Sequence, residues 1–230
     1  MPPWKRTRTN ASMSKMKFSA IGPHHDTVQF DIVAMVSSAG GLAAVRHVLE
    51  HLPAAFPAAI VIVQHLDPRH RSLMAGILSH HTQLAVKEAE EGDRLTPSHV
   101  YLAPPNRHLL VNPDRTLSLS QSELVHFLRP SGDLLFESVA ASHKDRAIAV
   151  VLTGTGSDGA MGVRAIKKMG GTVVVQNPEQ AEFNGMPQAA IATQVVDFIL
   201  PLDDIAEALT LLVGNTSTHE RSATRITGQS

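Results

Sequence analysis

Apolar residues fall along this chain in two alternating rhythms. Ile32-Val33-Ala34-Met35-Val36, Ala59-Ile60-Val61-Ile62-Val63, Ala147 to Leu152 and Thr172 to Val175 are continuous runs and read as strands buried on both faces. Between them apolar residues recur every three or four positions, as on helices. Leu42, Val45, Val48, Leu49 and Leu52 follow Gly40-Gly41, and Leu73, Ile77 and Leu78 mark one face within 71–80. Leu134, Leu135 and Val139 follow Ser131, a capping residue, and the helix from Ala160 to Met169 stops at Gly170-Gly171. Ile205, Leu209 and Leu212 follow Asp203-Asp204, and Pro187 to Ala192 reads as a short helix with proline at its first position. Leu84 to Ala89 and Val195 to Leu200 are further strands. Val100–Ala103, His108–Val111 and Thr116–Leu119 are short, separated by Pro-rich and Asn-Pro-Asp turns, and read as a small antiparallel addition at a sheet edge. The alternation predicts an α/β fold: a doubly wound, mostly parallel sheet with helices on both faces.

Composition narrows the class. The chain has 230 residues with 43% hydrophobic, enough for a globular core. The rhythm occupies 31–213, read as one domain. Residues 1–30 carry Lys5, Arg6, Arg8, Lys15 and Lys17 among small polar residues and read as a flexible N-terminal arm; 214–230 read as a flexible tail. A net charge of −1 points to no nucleic-acid partner. The chain has no cysteine, which excludes disulfides, thiolate catalysis and Cys-ligated zinc and fits a reducing, cytoplasmic location. No apolar run reaches the roughly 20 residues that insert across a bilayer, and the N-terminus lacks a secretory apolar core.

Candidate chemistry lies where strands end. Three apolar strands run into polar or glycine-rich turns that present Ser38, His65 and Asp158. The carboxyl ends of parallel strands share one edge of the sheet, so these residues can meet although far apart in sequence. A hydroxyl becomes nucleophilic when an imidazole takes its proton, and a carboxylate orients the imidazole. Each residue also has a plain structural reading: Ser38 and Asp158 as helix caps, His65 as a histidine bonded to backbone. Gly154, Gly156 and Gly159 could instead cradle a phosphate or nucleotide, although neither G-x-G-x-x-G at the first turn nor Gly-Lys-Ser/Thr is present. The chain has 13 histidines, but His65, His70, His80, His81 and His108 lack metal-ligand spacing, so no metal site is expected.

These residues carry a resemblance. Ser37-Ser38-Ala39-Gly40-Gly41, Gln64-His65, Pro104 with His108, Arg129-Pro130-Ser131 with Asp133, Leu152-Thr153-Gly154 with Gly156 and Asp158-Gly159, and Gly185-Met186-Pro187 resemble, in order and spacing, the chemotaxis protein-glutamate methylesterase (CheB) family. The resemblance runs from Ile32 to Val213. It implies a three-layer α/β/α fold. It also implies hydrolysis of glutamate methyl esters on the cytoplasmic helices of chemoreceptors, with glutamine deamidation as a side activity and no cofactor. The family's nucleophile, base and acid fall on Ser38, His65 and Asp158, and its backbone oxyanion donors on Ala39 and Thr155. The chain departs from the family at Val36, Ala39 and Thr155, where Gly, Thr and Met are usual; a branched residue at 36 constrains the backbone beside the turn. Members usually carry an N-terminal receiver domain, for which 1–30 is too short; the expectation is that the enzyme is constitutively open, or that a separate regulatory protein controls it, or that it serves another signalling system. A catalytically silent receptor-binding scaffold is the alternative from the binding class.

Overall fold

The computed structural model describes residues 30–65 and 72–214; except for Phe30 and Gly214, the arms expected at 1–30 and 214–230 lie outside them. Nine strands alternate with six helices among the described residues: β1 (Ile32–Ser37), α1 (Gly41–Glu50), β2 (Ala59–Gln64), α2 (Met74–Ser79), β3 (Ala85–Glu88), β4 (His99–Leu102), β5 (His108–Val111), β6 (Leu117–Ser120), α3 (Gly132–His143), β7 (Ala147–Val151), α4 (Ala160–Lys168), β8 (Thr172–Gln176), α5 (Gly185–Ala192), β9 (Phe198–Leu200) and α6 (Leu202–Gly214). Seven strands form one sheet in the order β3-β4-β2-β1-β7-β8-β9, and every pairing in it is parallel. The chain builds outward from β1 on one side, then crosses back and places β7 on the other. The gap above β1 and β7 is therefore the switch point, where an open parallel sheet leaves a crevice for a ligand.

The continuous apolar runs follow from burial on both faces. Ile32, Ala34 and Val36 of β1 join a core shared with α3, α4 and α5, while Val33 and Met35 face α1, α2 and α6. Three layers result, as the resemblance implied. Val36 is fully buried in β1, and its two methyls fill the space left by Gly132 and Gly159: a Cβ on either glycine would stand 2.5 Å or 2.9 Å from them. A branched residue is at ease in this extended backbone.

Four expectations change in detail. Residues 99–102 belong to the main sheet as β4, between β3 and β2, rather than to the antiparallel addition. Val100 and Leu102 enter one core and Tyr101 the other, so β4 is a two-faced inner strand; its brevity and flanking prolines disguised it. The antiparallel part is β5–β6 alone. In α2 it is Met74 and Leu78 that are buried, while Leu73 and Ile77 are 72% and 40% exposed. A six-residue helix has room for a single i, i+4 pair against the sheet. Helix α5 begins at Gly185, which makes Pro187 its third residue, because Gly185 packs against the backbone of Gly154 and Gly156. Proline is still tolerated there, since first-turn N–H groups have no helical acceptor. β9 covers only Phe198–Leu200, with Val195 and Val196 packed on the core outside the ladder.

Replacing Val36 by Gly would empty the space against two glycines and loosen a central strand. A loss of about 2–4 kcal/mol is expected from the cavity and the added backbone freedom, read as a lower urea midpoint.

Candidate active site

At the end of β1 the chain leaves the sheet through Ser38, Ala39 and Gly40, then starts α1. Gly40 is left-handed, with φ +73°, which glycine adopts without strain. The turn is tied down on three sides. Ser38 N–H donates to Thr153 O at 3.0 Å, Gly41 N–H to Ser38 O at 2.9 Å, and Gln64 Nε2 to Ser38 O at 2.7 Å. The same Gln64 amide donates to His65 O at 3.0 Å and accepts from Ser37 Oγ at 2.6 Å. One buried side chain therefore sets the exits of β1 and β2 together. A Cβ on Gly41 would collide with Gln64 Oε1 and stand 2.7 Å from Ser37 Oγ, so only glycine fits there.

His65 follows β2, and its N–H donates to Ser37 O at 3.1 Å, which places it beside the Ser38 turn. Its Nε2 lies 2.8 Å from Asp158 Oδ2, and the two side chains are 12% and 1% exposed. With Nε2–H donating to the carboxylate, Nδ1 is left as the ring's acceptor. Among the described residues neither Nδ1 nor Ser38 Oγ has a hydrogen bond. That separation is common before substrate tightens an active site.

Asp158 lies in the β7–α4 loop, and its carboxylate sits at the N-terminus of α3. Oδ2 accepts from Gly132 N–H at 2.5 Å; Oδ1 accepts from Asp133 N–H and Ser131 Oγ, each at 3.1 Å. Burial alone would push this carboxyl up, but the bonds from His65, Gly132 and Asp133 outweigh it and hold its pKa below the usual carboxylate range. Neighbouring Asp133 goes the other way, raised by burial and by the charge of Asp158, although it accepts from Gly162 N–H at 2.8 Å. Ser131 caps α3 as expected, accepting from Leu134 N–H, and it also donates to the acid, a second role the chain pattern does not reveal.

The two expected oxyanion donors lie where their peptides are locked. Ser38 O is held by Gln64 and Gly41, so the trans peptide turns Ala39 N–H the opposite way. Gly154 O is held by Met186 N–H at 2.9 Å, which turns Thr155 N–H away from α5. Neither N–H donates to any acceptor among the described residues. The turns touch: a Cβ on Gly154 would lie 2.9 Å from Ser38 Cβ and would collide with Met186 Sδ. Thr153 joins them, its Oγ1 donating to Ala39 O or Phe183 O, each at 3.1 Å, and accepting from Phe183 N–H at 2.9 Å. Gln176 Oε1 receives Thr153 N–H at 2.8 Å. Gln64 and Thr153 entered the sequence reading only as part of the resemblance, and their bracing roles and that of Gln176 were not foreseen, although each is a polar residue at or just beyond the end of an apolar strand. No group of three metal-ligating side chains occurs among the described residues. No helix among them is long and apolar enough to cross a membrane.

Comparison with known proteins agrees with this fold. The family model described as CheB methylesterase matches residues 33–209. A putative protein-glutamate methylesterase/protein-glutamine glutaminase of Leptospira interrogans is 43% identical over 180 residues, covering 78% of this chain and 93% of that one. The protein-glutamate methylesterase FrzG of Myxococcus xanthus is 39% identical over 180 residues, 78% of this chain and 54% of its own length. The chain thus spans most of the first relative and about half of the second. The crystal structure of the Thermotoga maritima CheB methylesterase catalytic domain superposes with a TM-score of 0.77 at 36% identity, covering 81% of this chain and all of that one.

The depressed pKa of Asp158 has a measurable consequence. Its contribution to stability is present above the unfolded carboxyl value of about 3.9 and is lost as pH falls through the lower folded value. Asp158→Asn is expected to lower the urea midpoint at pH 7. Below about pH 4 the gap from wild type should narrow. A gap that stays constant down to pH 2 would count against a depressed pKa.

Proposed function

The chain belongs to the CheB methylesterase family, and we propose that it removes methyl groups from glutamate methyl esters of methyl-accepting receptor proteins with Ser38, His65 and Asp158. The observation that carries this reading is the 2.8 Å contact between His65 Nε2 and a buried, fully hydrogen-bonded carboxylate beside the Ser38 turn.

Ser38 Oγ attacks the ester carbonyl as His65 Nδ1 takes its proton. The imidazolium that forms is stabilised by Asp158, whose own proton affinity stays low because the bond from His65 and the N–H groups of Gly132 and Asp133 hold its charge against the cost of burial. The carbonyl oxygen becomes an oxyanion and is received by the N–H groups of Ala39 and Thr155, each such donor lowering the barrier by about 3 kcal/mol. Methanol leaves with the proton from His65. Water, deprotonated by the same nitrogen, then attacks the acyl-serine and releases glutamate. A glutamine side chain can follow the same course, with ammonia leaving in place of methanol. Ala39 and Thr155 act through backbone, so their side-chain departures from the family leave the donors in place. The scheme uses no metal or organic cofactor. Its substrate would be a cytoplasmic receptor helix, which places the reaction in the cytoplasm.

Ser38→Ala should keep the fold, by circular dichroism, and lose methanol release from methylated receptor helices by roughly four orders of magnitude or more. Turnover within tenfold of wild type would overturn the assignment. A serine-directed phosphonate should label Ser38 in the wild type, and a blank would favour a silent scaffold.

A further inference from the structure

The loop between β6 and α3 ends in an unusual turn. Val125 and Leu128 exchange both backbone hydrogen bonds, at 3.1 Å and 2.8 Å, around His126 and Phe127. Both central residues have positive φ, 49° and 66°. That is the pattern of a two-residue type I′ hairpin, which favours Asn-Gly and is strained by side chains bearing a Cβ. Phe127 gains no packing in return, since it is 92% exposed. Strain held on a displayed aromatic side chain marks a place where the side chain is used outside the molecule.

The turn is referenced rigidly to the site. Arg129 donates to Asn106 Oδ1 through Nε and Nη2 and to the carbonyls of Gln121 and Ser122 through Nη1, all within 3.0 Å. Buried His108 donates from Nε2 to Glu123 O at 3.0 Å and accepts Ser131 N–H on Nδ1 at 3.2 Å. Ser131 in turn holds Asp158. Phe127 lies four positions before Ser131, a reach of at most about 14 Å. Two further exposed apolar side chains lie on segments that carry or touch the site residues. Met161, 58% exposed, lies in the first turn of α4, three residues after Asp158; Phe183, 37% exposed, is bonded through its backbone to Gly154 and Thr153.

We propose that Phe127 is a substrate-recognition residue, seated against an apolar position of the helical substrate protein while the methyl ester lies over Ser38. The proposal rests on the esterase reading, because hydrolysis of a side-chain ester on a helix requires that helix to lie across the Ser38 edge. A helix placed there carries apolar side chains at i, i+3 and i+4 spacing that an exposed aromatic ring can meet.

The test compares two substrates on the full chain: an enzymatically methylated receptor cytoplasmic fragment, and the γ-methyl ester of N-acetylglutamate amide, too short to reach the turn. With Phe127→Ala, KM for the fragment should rise about tenfold with kcat within twofold, as for loss of one aromatic anchor. Hydrolysis of the small ester and the urea midpoint should match wild type. The double variant His126→Asn with Phe127→Gly should raise KM equally while raising the midpoint, because it relieves the turn. Unchanged KM in both variants, or a parallel loss on both substrates, overturns the proposal. Failure of the esterase reading would show differently, as a wild-type chain that hydrolyses neither substrate. Fluorescence anisotropy of the labelled fragment with Ser38→Ala and with Ser38→Ala/Phe127→Ala decides Phe127 even then, since equal affinities would also overturn it. Sedimentation of wild type and Phe127→Ala covers the other occupant: a dimer lost in the variant, with KM unchanged, assigns the ring to self-association and overturns substrate recognition.

Discussion

A negative charge taken out of water must be given back its hydrogen bonds, and in this protein the site is built around that requirement. Asp158 is almost fully buried, yet both of its oxygens are satisfied, by two N–H groups at the start of α3, the Ser131 hydroxyl and the His65 ring. The helix terminus supplies donors that have no partner within the helix. Because Asp158 itself immediately precedes Gly159 and α4, its carboxylate fastens the β7–α4 loop to the start of α3. Asp133 completes the junction from the other side by accepting Gly162 N–H. Val36 fills the space beneath, against Gly132 and Gly159, so the strand, the two helix starts and the acid form one packed unit.

Around this unit, polar side chains at strand ends do work that apolar ones cannot. Gln64 holds carbonyls of both Ser38 and His65, and Thr153 bridges the Ser38 turn to the segment leading into α5. Each satisfies buried backbone groups that would otherwise be costly to leave unpaired. The geometry of the turn is thereby determined by neighbours rather than by Ser38 itself. Close approach of Gly41 to Gln64, and of Gly154 to Ser38 and Met186, leaves no room for a larger residue at either glycine.

Much of this was legible beforehand, for physical reasons. Strands buried on both faces give continuous apolar runs, so β1, β2, β7 and β8 were plain, and their ends pointed to Ser38, His65 and Asp158. The parallel order then brought those ends together at the switch point. What escaped notice depended on tertiary context. β4 is a four-residue strand whose flanking prolines resemble those of a hairpin addition, and only its two neighbours make it an inner strand. Leu73, Ile77 and Leu78 have helical spacing, but the short helix buries only Leu78 of the three, with Met74 beside it. Pro187 suggested a helix start that close backbone contact at Gly185 moves two residues upstream. Ser131 reads as a cap because capping is local; its bond to Asp158, 27 positions later, leaves no local trace. The same holds for Gln64, whose partners Ser37 and Ser38 lie on a different strand exit.

The reactive centre also exists at only one stage of the chain's life. His65 and its carboxylate partner are 93 positions apart, and β1 is flanked on one side by β2 and on the other by β7, made much later. During synthesis the serine turn and the imidazole emerge well before the segment that orients them. A nascent chain, or one from which the second half has detached, presents a hydroxyl and a histidine but no buried acid between two helix starts. On the proposed mechanism, hydrolytic competence is a property of the completed sheet, so a truncated or half-made copy has little capacity for stray ester cleavage.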